Sequence, residues 1–132
     1  MSSSSFESAR LELELSPDPS CVGEARRAVT GLAHRVGAPV EDVKLVVSEA
    51  VGNAVTHAFR GREGGTITVR ARVQDALLII DVADDGIGMS PNLDSPGLGF
   101  GVALMTKLAH EVRFDSSDKG TTVSMTFATD GR

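Results

Sequence analysis

Aromatic residues and positive charge are both scarce in this chain. Its 132 residues include five Phe, no Trp and no Tyr. They carry 13 Lys plus Arg against 18 Asp plus Glu, which gives a formal net charge of −5. A nucleic-acid binder ordinarily uses basic side chains to contact phosphates and flat rings to stack on bases. We therefore expect no direct nucleic-acid partner.

Cysteine and long apolar runs are equally scarce. Cys21 is the single cysteine, which excludes an internal disulfide and favours a reducing, cytoplasmic environment. The longest purely apolar run covers residues 76–80, far short of the roughly 20 residues that cross a bilayer, so no membrane association is expected. Composition and length suit one compact domain over residues 9–128. Residues 1–8 are expected to form a disordered leader and residues 129–132 a short tail.

Periodic apolar residues predict alternating strands and helices. The predicted elements are a strand over 11–15, a helix over 20–37 with Ser20 as its candidate cap, a helix over 40–58, a hairpin over 67–84, a helix over 100–110 and a hairpin over 111–127. A loop with Gly and Pro fills 84–99, a length that usually carries function. This order predicts an α/β two-layer sandwich with helices on one face of a mostly antiparallel or mixed sheet. The site should lie between the layers.

The second predicted helix carries a polar stripe. Glu49, Asn53 and His57 recur every four residues and so share one helix face. Gly52 and Asn53 are poor helix formers that together cost about 1.5 kcal/mol relative to Ala. The stripe is either an ordinary solvated face, or a site where the Asn53 oxygen binds a cation and Glu49 accepts a proton.

Two glycine-containing segments are candidate ligand loops. Asp84 ends a continuously apolar strand, and Gly86 and Gly88 after it would let a flat ligand approach the backbone. Gly99 and Gly101 lead into the third helix, whose N-terminal N–H groups would suit an anion. The alternatives are an ordinary turn and a glycine-rich hinge. The segment 120–125, which contains Thr121, is by itself most simply a hairpin turn.

The order and spacing of these segments resemble the ATP-binding domain shared by gyrase, histidine kinases, chaperone ATPases and mismatch-repair ATPases. Within that superfamily the chain resembles the stand-alone anti-sigma-factor serine kinases. Residues 45–59 are similar to their asparagine-containing box, 82–89 to the first glycine box, 99–114 to the second and 120–125 to the closing box. The resemblance covers about residues 9–127. It implies the Bergerat, or histidine-kinase-like ATPase, fold.

The resemblance also implies a role for each matching residue, with ATP and Mg²⁺ as cofactors. It implies Mg²⁺ ligation by Asn53, proton acceptance by Glu49, adenine binding by Asp84 with help from Thr121, a base pocket shaped by Gly86 and Gly88, and phosphate binding by the backbone at Gly99 and Gly101. For His57 a packing or hydrogen-bonding role is favoured over a catalytic one.

Two departures from the family pattern concern the second glycine box. Gly97 offers a competing register, Gly97/Gly99 in place of Gly99/Gly101, although the latter fits the following helix better. Phe100 occupies the middle position, so no basic residue stands at the expected phosphate site. Charge neutralisation would then fall mainly to Mg²⁺ and the backbone.

The function that the resemblance implies is that of an ATP-binding anti-sigma factor and serine/threonine protein kinase. Its expected partners are a sigma factor, an anti-anti-sigma protein with a STAS domain as phosphoacceptor, and a second copy of the chain in a homodimer. Two alternatives stay open. The chain could be a nucleotide-dependent binding module with little kinase activity, or one domain of a larger regulator.

Overall fold

The computed structural model describes residues 9–58, 65–86, 98–117 and 120–130, which form a five-stranded sheet and its covering helices. The strands are β1 (Arg10–Leu15), β2 (Ile67–Gln74), β3 (Leu77–Asp84), β4 (Glu111–Ser117) and β5 (Gly120–Ala128). The helices are α1 (Ser20–Val36), α2 (Val40–Asn53), a π-helical turn (Ala54–Ala58) that continues α2, and α3 (Leu98–Leu108). No helix in these described ranges has the length and apolarity needed to cross a membrane.

The strand order in the sheet is β1-β2-β3-β5-β4, and every pairing is antiparallel. The two-layer α/β architecture is confirmed, and of the two predicted sheet types, mostly antiparallel or mixed, the structure has the antiparallel one. The reason lies in the connection from β3 through α3 to β4. These two strands run in the same direction, yet β5 lies between them and pairs with both. Each hydrogen-bonded neighbour is therefore antiparallel.

One face of the sheet is apolar and the other is polar. On β3, Leu78, Ile80 and Val82 are fully buried and belong to the same core cluster as the apolar residues of α1 and α2. Every fully buried side chain in the described ranges is apolar. Burial of a large apolar side chain contributes roughly 1.5–3 kcal/mol, so this layer of contacts is the main source of stability.

The outer face of the sheet carries paired charges. Arg70 on β2 lies 3.5 Å from the Glu12 carboxylate on β1, measured from Nε to Oε2. Asp81 on β3 accepts a hydrogen bond of 2.6 Å from the Ser124 hydroxyl and lies 3.5 Å from an Arg72 guanidinium nitrogen. The alternation of apolar and polar residues that predicted the strands is thus confirmed across the sheet.

The helices differ from the predicted ones at their ends. Ser20 is the first residue of α1 and not its cap, because the Asp18 carboxylate accepts a hydrogen bond of 2.8 Å from the Ser20 backbone N–H. The predicted single helix over 40–58 changes to π-helical geometry after Asn53. Gly52 and Asn53, both weak helix formers, stand directly before that change. The third helix begins at Leu98, two residues earlier than predicted.

The β2–β3 hairpin has a two-residue turn with an unfavourable residue in it. Asp75 and Ala76 have φ angles of 55° and 62°. Positive φ at both central residues is the requirement of a type I′ turn, where Gly is preferred at the second position. Asp tolerates this region, but the Cβ of Ala76 makes it costly.

Ala76→Gly should therefore stabilise the protein. Removal of the Cβ relieves left-handed strain while adding some unfolded-state entropy, so we expect a net gain of about 0.5–1 kcal/mol and a melting temperature higher by about 2–4 °C. Thermal unfolding followed by circular dichroism measures this. Ala128→Gly, at an exposed strand position, is the control and should lower stability. A lower melting temperature for Ala76→Gly would contradict the strain at this turn.

Candidate functional site

Asp84 lies at the end of β3 on the face that the helices cover. It continues the alternation of Ile80 and Val82, so its side chain points to the same side as the core. Its carboxylate oxygen Oδ1 accepts a hydrogen bond of 3.0 Å from the backbone N–H of Gly86, which is itself buried. Burial raises the pKa of the Asp84 carboxyl, and the backbone N–H groups of Gly86 and Thr121 offset part of that shift. The Asp84 carboxylate is therefore a partly desolvated hydrogen-bond acceptor.

The neighbouring strand brings Thr121 directly opposite Asp84. The close approach of β5 to the backbone of Asp84 depends on Gly120, whose φ is +137°. A Cβ at this position would overlap the backbone carbonyl oxygen of Asp84. Any larger residue would therefore push β5 away from Asp84, which explains why glycine precedes the threonine pair at the start of this strand.

A cavity of about 270 Å³ opens beside this pair. The described residues that line it are Asp84, Asp115, Ser117, Gly120, Thr121 and Thr122. Because Asp115, Ser117 and Thr122 lie at outer-face positions, the cavity opens at the end of the sheet and is not confined to the helix-covered face. Two carboxylates and several hydroxyl groups make this wall rich in hydrogen-bond acceptors. Such a wall attracts N–H donors and repels anions. It suits the amine edge of a heterocycle and not a phosphate group.

The polar stripe of α2 borders the buried stripe of that helix. Glu49 and Asn53 are partly buried, and neither side chain hydrogen-bonds to another described residue. A Cβ added to Gly52 would meet no described atom within 4 Å. No described side chain therefore packs against the helix at Gly52.

The N-terminus of α3 supplies backbone donors. Gly99 and Gly101 both lie within its first turn, whereas the sequence predicted Gly99 just before the helix. The first four N–H groups of an α-helix have no partner within the helix, and the helix dipole makes them attractive to anions. Lys107, the basic residue of this helix, lies in the last turn, far from these groups.

Packing brings the elements that carry these residues together. Helix α2 contacts both α3 and β3, the π-helical turn contacts β3, and β3 pairs with β5. Glu49 and Asn53 thus lie on a helix that contacts the strand of Asp84, and that strand pairs with the strand of Thr121. Gly88 and the side chain of His57 lie outside the described residues. Within the described ranges no three His, Cys, Asp or Glu side chains are grouped to hold a metal.

One polar residue of this region was not predicted from the sequence. Ser116 on β4 faces Thr121, and their hydroxyl oxygens are 3.0 Å apart. The alternation of Val112 and Phe114 could have assigned Ser116 to the helix-covered face. Its pairing with Thr121, however, depends on the hairpin register, which the sequence did not define.

Comparison with known sequences finds a family match over most of the chain. Residues 15–127 match the histidine kinase-like ATPase domain family. The chain is 35% identical over 134 aligned positions to the serine-protein kinase RsbW of Bacillus licheniformis, covering 88% of this chain and 83% of that protein. It is 39% identical over 80 positions to RsbW of Listeria innocua, covering 58% of this chain and 51% of that protein.

Solved structures give the same fold. A histidine kinase domain of a blue-light activated histidine kinase from Erythrobacter litoralis matches with a TM-score of 0.60 and 26% identity, covering 83% of this chain and 60% of that one. The RsbU and RsbW domains of a Mycobacterium tuberculosis protein match with a TM-score of 0.73 and 23% identity. This second match covers 95% of the present chain and 34% of the solved one.

The raised pKa of Asp84 predicts a pH-dependent stability. The folded state binds the Asp84 proton more tightly than the unfolded state does. The contribution of Asp84 to the free energy of unfolding is therefore complete below the unfolded-state pKa of about 3.9. It is lost as pH rises through the folded-state pKa. Asp84→Asn removes the desolvated charge, so at pH 7 its free energy of unfolding should exceed that of the wild type. The difference should shrink as pH falls toward 4.

Urea unfolding of both proteins between pH 4 and pH 7 measures this difference. Asp115→Asn is the control, because that carboxylate is exposed on the outer face of the sheet. A wild type that is more stable than Asp84→Asn at pH 7 would contradict the role of burial.

Proposed function

This chain belongs to the histidine kinase-like ATPase family, and we propose that it acts as an anti-sigma factor and serine/threonine protein kinase. Its enzymatic class follows from serine-protein kinases that match it along nearly its whole length. The observation that supports the site is the half-buried Asp84, which faces the helix layer beside Thr121 and lies on β3, a strand that contacts α2.

The acidic cavity fits the base of ATP. Asp84 would accept a hydrogen bond from the exocyclic amine of adenine, and Thr121 would assist through its hydroxyl group. Gly86 and Gly88 would shape the pocket for the flat ring. Because carboxylates line this end, the phosphates must point away from it. They would lie toward the first turn of α3, where the backbone at Gly99 and Gly101 would bind them.

Asn53 fits a magnesium site that uses few protein ligands. Mg²⁺ usually keeps several waters and takes only one or two protein groups together with phosphate oxygens. An amide oxygen suits such a site better than a cage of carboxylates, and the described ranges hold no such cage. When bound, Mg²⁺ would neutralise charge on the phosphate oxygens.

Glu49 would act as the general base, one helical turn before Asn53. Its carboxylate would accept the proton of the incoming serine or threonine hydroxyl as that oxygen forms a bond to the γ-phosphorus. The bond from that phosphorus to ADP breaks in the same step, and ADP leaves. Positioning and charge stabilisation supply most of the rate in phosphoryl transfer, so the elements that position these groups matter as much as the base.

The proposed partners are proteins. An anti-anti-sigma protein with a STAS domain would supply the phosphorylated residue, and a sigma factor would be held while that partner is phosphorylated. We further propose a homodimer in the cytoplasm. Incubation with γ-labelled ATP, Mg²⁺ and candidate STAS proteins tests the kinase. Label on the partner is the expected result. ATP binding and a sigma-factor complex without label would favour the binding-module alternative.

Glu49→Gln should separate chemistry from binding. The amide keeps the size of the side chain but cannot take up the hydroxyl proton, so phosphorylation of the partner should fall by about 10²–10⁴-fold. ATP affinity, measured by calorimetry, should stay close to the wild-type value. Glu41→Gln, at an exposed position of the same helix, is the matched control and should keep full activity. Phosphorylation by Glu49→Gln at the wild-type rate would exclude Glu49 as the base.

Asn53→Ala should lose both metal-dependent binding and phosphotransfer, because it removes a ligand and not a base. Calorimetric titration with ATP, with and without Mg²⁺, measures the effect. The wild type should bind more weakly after chelation of Mg²⁺ by EDTA, whereas the variant should show little difference between the two conditions. A variant that retains the full Mg²⁺ effect would show that the metal is held elsewhere.

A further inference from the structure

We propose that Asp85 is a positioning residue for the adenine pocket, because its carboxylate fixes the turn in which Asp84 is held. The inference rests on the proposed function, since the role of Asp84 toward adenine belongs to that proposal. It adds a residue that none of the predicted nucleotide contacts includes. Asp85 does not touch the nucleotide in this account and acts only through its neighbour.

The first step is the way in which the β2–β3 ladder ends. Ile67 and Asp84 form its last pair. One position further on, the Asp85 backbone N–H donates a hydrogen bond of 3.3 Å to the Thr66 carbonyl. In a regular antiparallel pair the Thr66 N–H would donate to the backbone carbonyl of Asp85 in return. It donates instead to the carboxylate oxygen Oδ1 of Asp85, at 2.8 Å.

The second step is what this side-chain acceptor allows. Because the carboxylate satisfies the Thr66 N–H, the main chain can leave the sheet at Asp85 without leaving that donor unpaired. The Gly86 N–H then donates a hydrogen bond of 3.0 Å to Asp84 Oδ1. Such a bond, from the backbone two residues on to an aspartate side chain, closes an Asx turn. Asp85 is the residue at the centre of this turn, so its carboxylate fastens the turn that orients Asp84.

The third step concerns the opposite side of the same turn, where β5 lies against β3. A Cβ on Gly120 would overlap the Asp84 carbonyl oxygen and come within 3.1 Å of the Asp85 Cα. The backbone of the two aspartates is therefore in close contact with β5 on one side and hydrogen-bonded to Thr66 on the other. Loss of the Asp85 carboxylate would release the Thr66 side alone and let the turn move away from Gly120.

The role of Asp85 depends on an oxygen atom at one place and not on negative charge. Asp85 is exposed, whereas Asp84 is partly buried on the helix-covered face. Asparagine would carry an oxygen at the same place without the charge. Glutamate would keep the charge but move the carboxylate outward by one methylene group. These two substitutions at position 85 therefore separate geometry from charge.

Calorimetric titration with a non-hydrolysable ATP analogue and Mg²⁺ tests the proposal. Asp85→Ala should raise the Kd by about 2- to 10-fold, as expected for the loss of one hydrogen bond. Asp85→Asn should bind at least as tightly as the wild type, whereas Asp85→Glu should show most of the loss. Glu12→Ala, which removes an exposed carboxylate from β1, is the matched control for the change of charge and should leave the Kd unchanged.

Two further measurements distinguish positioning from a general effect on stability. Amide hydrogen exchange, followed by NMR without nucleotide, should be faster at Thr66 in Asp85→Ala and Asp85→Glu but unchanged in Asp85→Asn. In the kinase assay KM for ATP should rise in Asp85→Ala while kcat stays unchanged. All assays are run well below the melting temperature of every variant, where a change in global stability alone alters neither Kd nor KM.

The wild-type titration separates the two levels of the proposal. If the wild type does not bind the ATP analogue, the proposed function fails and the role of Asp85 fails with it. If the wild type binds and Asp85→Ala binds equally tightly, only the role of Asp85 is overturned. Wild-type affinity in Asp85→Glu together with a loss in Asp85→Asn would also overturn it, because charge and not the hydrogen bond to Thr66 would then matter.

Discussion

The alternation of side chains along β3 is the constraint on which the site depends. Leu78, Ile80 and Val82 must face the helices to complete the core, and a period of two then puts Asp84 on the same side. A shift of one residue would move this carboxylate to the outer face. The hydrophobic core therefore determines that Asp84 is partly desolvated, and the antiparallel register with β5 determines that Thr121 stands beside it.

Several residues proposed for the site, or next to it, lower the stability of the fold. Burial opposes ionisation of Asp84, Gly52 and Asn53 weaken α2, and Gly120 adopts a φ that other residues rarely reach. The π-helical turn that follows Asn53 is a rare geometry that recurs at functional sites. By contrast, α1 follows ordinary rules, with an apolar buried stripe and a left-handed Gly37 after its last turn. Unfavourable features at the residues proposed for the site agree with a functional role there.

Features that depend on local periodicity were predicted from the sequence. The five strands, both hairpins and the buried residues of β3 are where alternation and turn residues indicated them. The loss of regular geometry after Asn53 was not predicted, although the weak helix formers that precede it were noted. Local propensity shows that a helix is weakened but not which alternative hydrogen-bonding pattern replaces it.

Features that depend on contacts between distant segments were harder to predict. The antiparallel position of β5 between β3 and β4 follows from a crossover that no local pattern encodes. Ser116 was missed for the same reason, because a serine on an edge strand is unremarkable until its cross-strand partner is known. Of the site itself, Asp84, Thr121, Glu49 and Asn53 lie on neighbouring elements, but their roles toward a nucleotide stay predictions.

Charge sets a further condition on the proposed function. Under the proposed function, a chain with a net charge of −5 binds a highly anionic nucleotide, and carboxylates line the cavity beside Asp84. The basic residue of α3 stands at the opposite end from the N–H groups proposed to bind phosphate. Helix N–H groups contribute only about half a unit of positive charge, which is too little to balance a triphosphate. Under the proposed function, most of the neutralisation would therefore come from a divalent cation, and nucleotide binding should be coupled more closely to the metal than to the protein's own side-chain charges.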